Sequence, residues 1–504
     1  MDRTASWMCA LALVACSAMP VFGQDMERMI LDAMSTTPLG QAKVGMCVID
    51  GDSGRTLFAL NARDQFIPAS NMKLLTSGAA LHVLGTDFMF RTRFLLAGDE
   101  LVIRGAGDPA LADPELLADM MPSMSCTQFI DRLAEVITDN GLSTIQGIVV
   151  DDRIFEASAA HPTWPDDQLN ESYCAEISGL NFHANVLNVF ARPNGNGVRV
   201  ETDPEYPDIV LQPSVELMPT TVRGRAESIW MTRQPMTNTI KVSGRISKPM
   251  HSPVSVTVHD PGMQFGMSLA VALARRGVEI GGTKGVTFAH EFVRRAEQND
   301  KIDPALDVAR EIVVVRTPMQ VVLERCNTNS ENMYAESLLK RMGHDVTLEP
   351  GSWENGTATL RMVVGDLLDA RSVGMLRAVD GSGMSRENRV TPELLANWTR
   401  AVANDPVIGD TWVESLAEPG NGTLRERFRE SNTLENILHA KTGYLTGVRS
   451  ISGVIEHRTS GKKVYFSLIM NDESSVDANA RKFQEKFVMA LDEWLNANSY
   501  ALGG

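Results

Sequence analysis

The stretch Ile67-Pro68-Ala69-Ser70-Asn71-Met72-Lys73 sets a hydroxyl and an amine three residues apart, directly after a proline. Met72, Leu75, Ala79 and Leu84 continue behind it as an apolar helical series that Gly85 ends, so a helix is expected over Ser70–Leu84. Residues i and i+3 share one helix face, which brings the Ser70 hydroxyl and the Lys73 amine together. A serine hydroxyl is a weak nucleophile until a neighbouring base takes its proton. A lysine can be that base only where burial or a second cation lowers its pKa. The start of the helix adds amide donors suited to a developing oxyanion. Taken alone, the same residues read as a helix cap and a solvated lysine.

Nearer the N-terminus, Met26–Met34 has helical apolar spacing. Val44–Asp50 and Thr56–Leu60 alternate as strands around the turn Gly51-Asp52-Ser53-Gly54. From about Phe88 to Lys301 short alternating runs broken by Gly and Pro predict a mainly β region, with a helical piece near Phe129–Asn140. Helices return at Thr317–Cys326, Met333–Met342, Gly356–Val373 and Pro392–Asn404. Strands follow at Leu438–Lys441, Val448–Ile455 and Val464–Met470, and Ala478–Asn496 forms a last helix. The pattern predicts an α/β (α+β) domain assembled from both ends of the chain, 24–87 and 305–504. An antiparallel sheet there would be covered by the terminal helices. The inserted 88–304 would hold two nested domains, the inner one near 108–170.

The 504 residues exceed what one core usually organises. A duplex or RNA binder needs a basic face, so with a net charge of −16 nucleic acid is not the expected partner, although the local field of a cleft can have the opposite sign. The first residues read as a secretory signal ending near Gly23, with Arg3 ahead of an apolar run too short to span a bilayer. An alternative reading takes Leu13-Val14-Ala15-Cys16 as a lipobox that leaves a lipid anchor on Cys16. Export is expected either way, to the periplasm or cell envelope. Beyond residue 23 no apolar run is long enough for a transmembrane span. Cys47, Cys126, Cys174 and Cys326 remain after the signal; they show no metal spacing, and Cys126 with Cys174 is one of several pairings left open.

Two further short motifs carry chemistry. Ser330-Glu331-Asn332 ends a polar loop before a helix, where a second hydroxyl can relay a proton and an amide can hold a peptide. Capping is the plainer reading. Lys441-Thr442-Gly443 lies on a strand. There a cation and a hydroxyl can grip a carboxylate, and Gly443 lets a ligand lie against the strand edge. The bland reading is a strand running into a turn.

S-x-x-K, S-x-N and K-T-G in this order are the signature of penicillin-binding proteins and serine β-lactamases. Lys73 and Ser330 are 257 positions apart, and Asn332 and Lys441 are 109 apart. With Asp380-Gly381-Ser382-Gly383-Met384-Ser385 and the long insertion, the chain resembles the class C low-molecular-mass penicillin-binding proteins, D-alanyl-D-alanine carboxypeptidases/endopeptidases of peptidase family S13. The likeness covers nearly all of the mature chain and implies a penicillin-binding, serine β-lactamase-like transpeptidase domain. It implies that Ser70 is the acylated nucleophile and Lys73 its base, that Ser330 relays the proton, and that Asn332 binds the substrate amide. Lys441 and Thr442 would hold the terminal carboxylate, and the N–H groups of Ser70 and Tyr444, with Gly443 between Thr442 and Tyr444, would line the oxyanion site. Peptidoglycan stem peptides and β-lactams are the implied partners, and no cofactor is needed. Tyr444 departs from the family, where a small hydroxyl residue is usual, and puts the preference for a free carboxylate in question. A β-lactamase is the rival enzyme, but no E-x-x-L-N run lies between Asn332 and Lys441. A catalytically idle wall-binding scaffold is the rival of another class; three intact motifs speak against it.

Overall fold

The computed structural model describes residues 21–157, 159–218, 228–297, 309–429, 433–472 and 477–499. The expected signal through residue 20, Cys16 and the boundary near 304 lie outside these. The helix expected at Met26–Met34 is Val21–Ser35.

The two ends of the chain meet in one five-stranded antiparallel sheet. Its spatial order is Ile437–Leu445, Val448–Glu456, Lys463–Asn471, Lys43–Asp50, Thr56–Leu60. Alternation along Lys43–Asp50 explains why the sheet is covered on both sides. Met46 and Val48 enter a cluster with Phe483, Phe487 and Leu491 of the C-terminal helix Asp477–Ser499. Cys47 and Ile49 enter another with Leu75, Leu395 and Trp398. The expected sheet and its covering helices are therefore present, and strand Ile437–Leu445 forms one sheet edge.

Helix Met72–Leu84 runs through the second of these layers, with ten of its residues buried from Met72 to Leu81. Trp398 Nε1 donates to the Leu74 carbonyl at 2.8 Å and locks it to helix Pro392–Ala403. The helix expected from Ser70 is thus two pieces, because Ala69–Asn71 forms a single 3₁₀ turn before the α-helix begins. Three-residue periodicity eclipses side chains at i and i+3, which suits a serine–lysine contact.

A second five-stranded sheet has the order Val293–Arg295, Gly147–Asp151, Glu100–Arg104, Met89–Ala97, Ala309–Pro318. Thr317 is therefore strand, not helix, and the helix starts at Met319; the residue before a proline is pushed to extended geometry. Gly356–Val373 likewise divides into Trp353–Leu367 and Ala370–Val373, the second capped by Asp369 accepting from Ser372 N. The region read as mainly β also contains a buried helix that the sequence reading missed, Pro261–Arg275. Gly262 and Gly266 look like breakers there, but a Cβ on Gly266 would lie 2.7 Å from Val150. That glycine lets the helix rest on its strand. All four described cysteines are buried free thiols, so Cys126 and Cys174 are unpaired. Cys126 packs in the core under the second sheet and Cys174 in the core around helix Met72–Leu84. Among the described residues no helix is long and apolar enough to cross a membrane.

Candidate active site

Ser70 lies in the 3₁₀ turn at the mouth of a cleft of about 380 Å³, and is partly exposed. Asn71, fully buried, ties that turn to the sheet: its amide donates to the Lys441 carbonyl at 2.6 Å, and its oxygen accepts from Ser452 Oγ at 2.8 Å. Ser450 Oγ adds a bond to the Pro68 carbonyl at 2.7 Å. The turn and the edge strand Ile437–Leu445 are therefore held as one unit. Gly443 permits the contact, because a Cβ there would fall 2.2 Å from Ser450 Oγ and 3.0 Å from the Ser70 nitrogen.

Lys73, fully buried, donates to Ser70 Oγ at 3.0 Å, to Asn332 Oδ1 at 2.7 Å and to the Ser382 carbonyl at 3.0 Å. Burial lowers its pKa below the usual 10.5, against the pull of Cys326, Glu336, Asp380 and Glu331. A neutral lysine amine beside a hydroxyl can accept its proton. Ser330 stands before helix Asn332–Thr347 with a φ of +70°. Its Oγ accepts from Lys441 Nζ at 2.7 Å. Lys441 is fully buried, and burial together with the charge of Lys73 pushes its pKa well below 10.5. Each hydroxyl thus has an amine on it, and Asn332 links the two motifs.

The sequence-predicted residues Ser70, Ser330, Asn332, Thr442 and Tyr444 line the cleft, with Lys73, Lys441 and Gly443 directly behind it. Tyr444 is 54% exposed, and the Arg449 guanidinium sits 3.8 Å over its ring. Several contributors lie outside the three short motifs. The Tyr173 carbonyl accepts from Asn332 Nδ2 at 2.8 Å, across 159 positions of chain. The Ser382 contact is likewise made by backbone. Glu336 sets that loop by accepting from Gly381 N at 2.9 Å and Ser382 N at 2.7 Å, and from Trp353 Nε1 at 2.9 Å. Asp380 braces it from the other side, accepting from Gly383 N at 2.9 Å and Trp164 Nε1 at 2.9 Å. The stretch Asp380–Ser385 stood out in the sequence, but the bracing roles of Glu336 and Asp380 did not.

The chain is 28% identical over 469 residues to the D-alanyl-D-alanine carboxypeptidase of Actinomadura sp. (strain R39), covering 88% of this chain and 80% of that one. Its fold matches penicillin binding protein 4 (dacB) from Haemophilus influenzae with a TM-score of 0.71 at 20% identity, over 92% of this chain and 99% of the other. A structure of that protein complexed with a β-lactam matches with a TM-score of 0.68 at 19% identity, over the same shares. Residues 27–495 match the D-Ala-D-Ala carboxypeptidase 3 (S13) family, and the chain belongs to that family.

Proposed function

We propose that the protein is an exported serine D-Ala-D-Ala carboxypeptidase that works through an acyl-enzyme on Ser70. The observation that carries this reading is the fully buried Lys73 amine 3.0 Å from Ser70 Oγ, held in place by Asn332 and Ser382. Lys73 takes the hydroxyl proton as Oγ attacks the carbonyl of the penultimate D-alanine. The N–H groups of Ser70 and Tyr444 receive the oxyanion; the close passage of Gly443 by the Ser70 nitrogen supports that pairing. The C–N bond then breaks. Ser330, hydrogen-bonded to Lys441, returns a proton to the departing D-alanine nitrogen. Water attacks the ester and releases the shortened peptide. Thr442 and Lys441 grip the terminal carboxylate, and Asn332 holds the substrate amide.

β-Lactams are proposed to acylate the same hydroxyl, in keeping with the β-lactam complex of the H. influenzae protein. Cell-wall stem peptides are the proposed substrates, with cross-link cleavage as a second use of the site. The proposal includes the signal ending near residue 23 and the division into 24–87 with 305–504 around an inserted 88–304. The sheet shared by both chain ends supports joining the two end segments in one domain, while strand Ala309–Pro318, paired with Met89–Ala97, belongs to the second sheet.

Labelling with a fluorescent penicillin tests the reading. The wild type should label, and the Ser70→Ala variant should not. Incubation with muropeptides should release D-alanine, detected by mass. Labelling that survives Ser70→Ala removes the assigned nucleophile.

A further inference from the structure

We propose that the protein carries a second binding site, a groove for oxyanion ligands on the second five-stranded sheet, remote from Ser70. The groove has a volume of about 770 Å³, about twice that of the substrate cleft. Arg91, Arg93, Arg104 and Arg341 line it, opposite Leu84–Phe88 and Val407.

The register of the sheet makes this clustering costly. Arg316 lies directly across from Arg91, and Arg93 directly across from Arg104. Opposed residues of antiparallel strands point to the same face, and Arg91 and Arg93 share that face because they are two apart. Three adjacent strands about 4.8 Å apart thus present two opposed arginine pairs on one face, offset by two residues, with Arg316 extending the patch beyond the groove lining. Like charges directly opposite each other destabilise a sheet. The molecule as a whole carries a net charge of −16, so a basic patch is not its general surface character.

Some of this charge is answered within the protein. Arg104 pairs with Asp151 at 3.0 Å, Arg341 with Asp345 at 3.0 Å, and Arg93 with Glu311 at 3.6 Å; Asp87 stands at the rim. Asp151 is shared with Arg153. Arg91 and Arg316, both exposed, have no carboxylate within ion-pair distance among the described residues. A bound oxyanion would supply what they lack. Guanidinium forks match phosphate and carboxylate oxygens in pairs, and a patch of them fits a ligand with several anionic groups. The occupant is therefore a multivalent phosphate or carboxylate ligand, of the kind carried by anionic envelope polymers.

The test uses the full chain and an Arg91→Gln/Arg316→Gln double variant, with Arg91→Gln alone as a second variant. Sodium tripolyphosphate is compared with sodium chloride at equal ionic strength. Tripolyphosphate should raise the wild-type Tm by at least ~2 °C. The double variant should show no such rise. Its own Tm should equal or exceed the wild-type value, because the opposed charges are gone. Fluorescent-penicillin acylation should be unchanged in both variants, which separates this site from the reading of Ser70. Co-sedimentation with purified peptidoglycan sacculi distinguishes the two sources. Sedimentation lost in the variants assigns wall carboxylates, whereas unchanged sedimentation with a lost tripolyphosphate response assigns phosphate. No tripolyphosphate response in the wild type, or an equal response in the variants, overturns the proposal.

Discussion

Lys441 Nζ donates to Ser330 Oγ at 2.7 Å, and its position on an edge strand leaves the same amine next to the open cleft. The lysine is fully buried and faces a second amine, so its ammonium form is disfavoured in the free enzyme. In its proposed role, a substrate carboxylate arriving beside it would restore that form. Substrate binding and proton uptake at Lys441 would then be linked. Lys441→Ala should lower kcat/KM by at least ~10-fold more on a carboxylate-terminated peptide than on its methyl ester, since losing one partner of a buried charge pair costs about 2–5 kcal/mol. Steady-state kinetics on the two substrates checks this. Equal losses on both would remove the carboxylate-binding role.

As the proposed base, Lys73 should govern a pH limb in the same way. Its pKa lies below 10.5 in the folded chain because of burial. Acylation should rise with pH as Lys73 loses its proton, through a midpoint below 10.5. The variant Lys73→Ala should acylate on the order of 10²–10⁴-fold more slowly and lose that limb. Stability should move in the same direction. Between the lowered folded value and 10.5 the unfolded chain binds more protons, so unfolding free energy increases with pH across that window. Lys73→Met should flatten that slope relative to wild type in denaturant titrations at several pH values.

Gly443 sets the spacing between strand and nucleophile. A methyl group there meets Ser450 Oγ at 2.2 Å, the Pro68 carbonyl at 2.9 Å and the Ser70 nitrogen at 3.0 Å. Gly443→Ala should push the edge strand off the 3₁₀ turn. Overpacking of this kind costs roughly 1–3 kcal/mol. The expected readouts are a lower Tm and at least ~10-fold slower penicillin acylation. Adding Ser450→Ala relieves the tightest contact but not the one on the Ser70 nitrogen, so it should recover Tm more than rate.

The side chains on the two reacting hydroxyls were legible in the sequence because each sits inside a short motif: Lys73 one turn from Ser70, Lys441 at the head of Lys-Thr-Gly. The sheet was legible too, since residues such as Met46 and Cys47 alternate between two apolar layers. What escaped was of two kinds. Contacts made by backbone, such as those of Tyr173 and Ser382, leave no residue-type signature. Helix Pro261–Arg275 is buried on nearly every side, so it lacks the polar stripe that marks a surface helix, and its glycines serve close packing rather than a turn. The start of the α-helix at Met72 instead of Ser70 reflects the bonds from Asn71 and Ser450, which are long-range and invisible to local periodicity.

Glu336 stands behind all of this. It touches neither hydroxyl, but it accepts three N–H donors that shape the loop whose Ser382 carbonyl holds Lys73. Burial raises its pKa to about 7, with Asp380 adding to the rise and the hydrogen bonds opposing it. Between pH 4.5 and about 7 the folded chain therefore binds more protons than the unfolded one, and this residue makes stability fall as pH rises through that window. Glu336→Gln removes that dependence. It also turns an NH₂ toward donors that need an acceptor, at a cost of about 1–3 kcal/mol. The variant should thus lose stability at pH 5 and differ less from wild type at pH 8, where the wild type already carries the buried charge. Acylation should slow by ~10-fold as the Ser382 carbonyl relaxes away from Lys73. A variant whose Tm deficit is the same at both pH values would show that Glu336 does not titrate in this range.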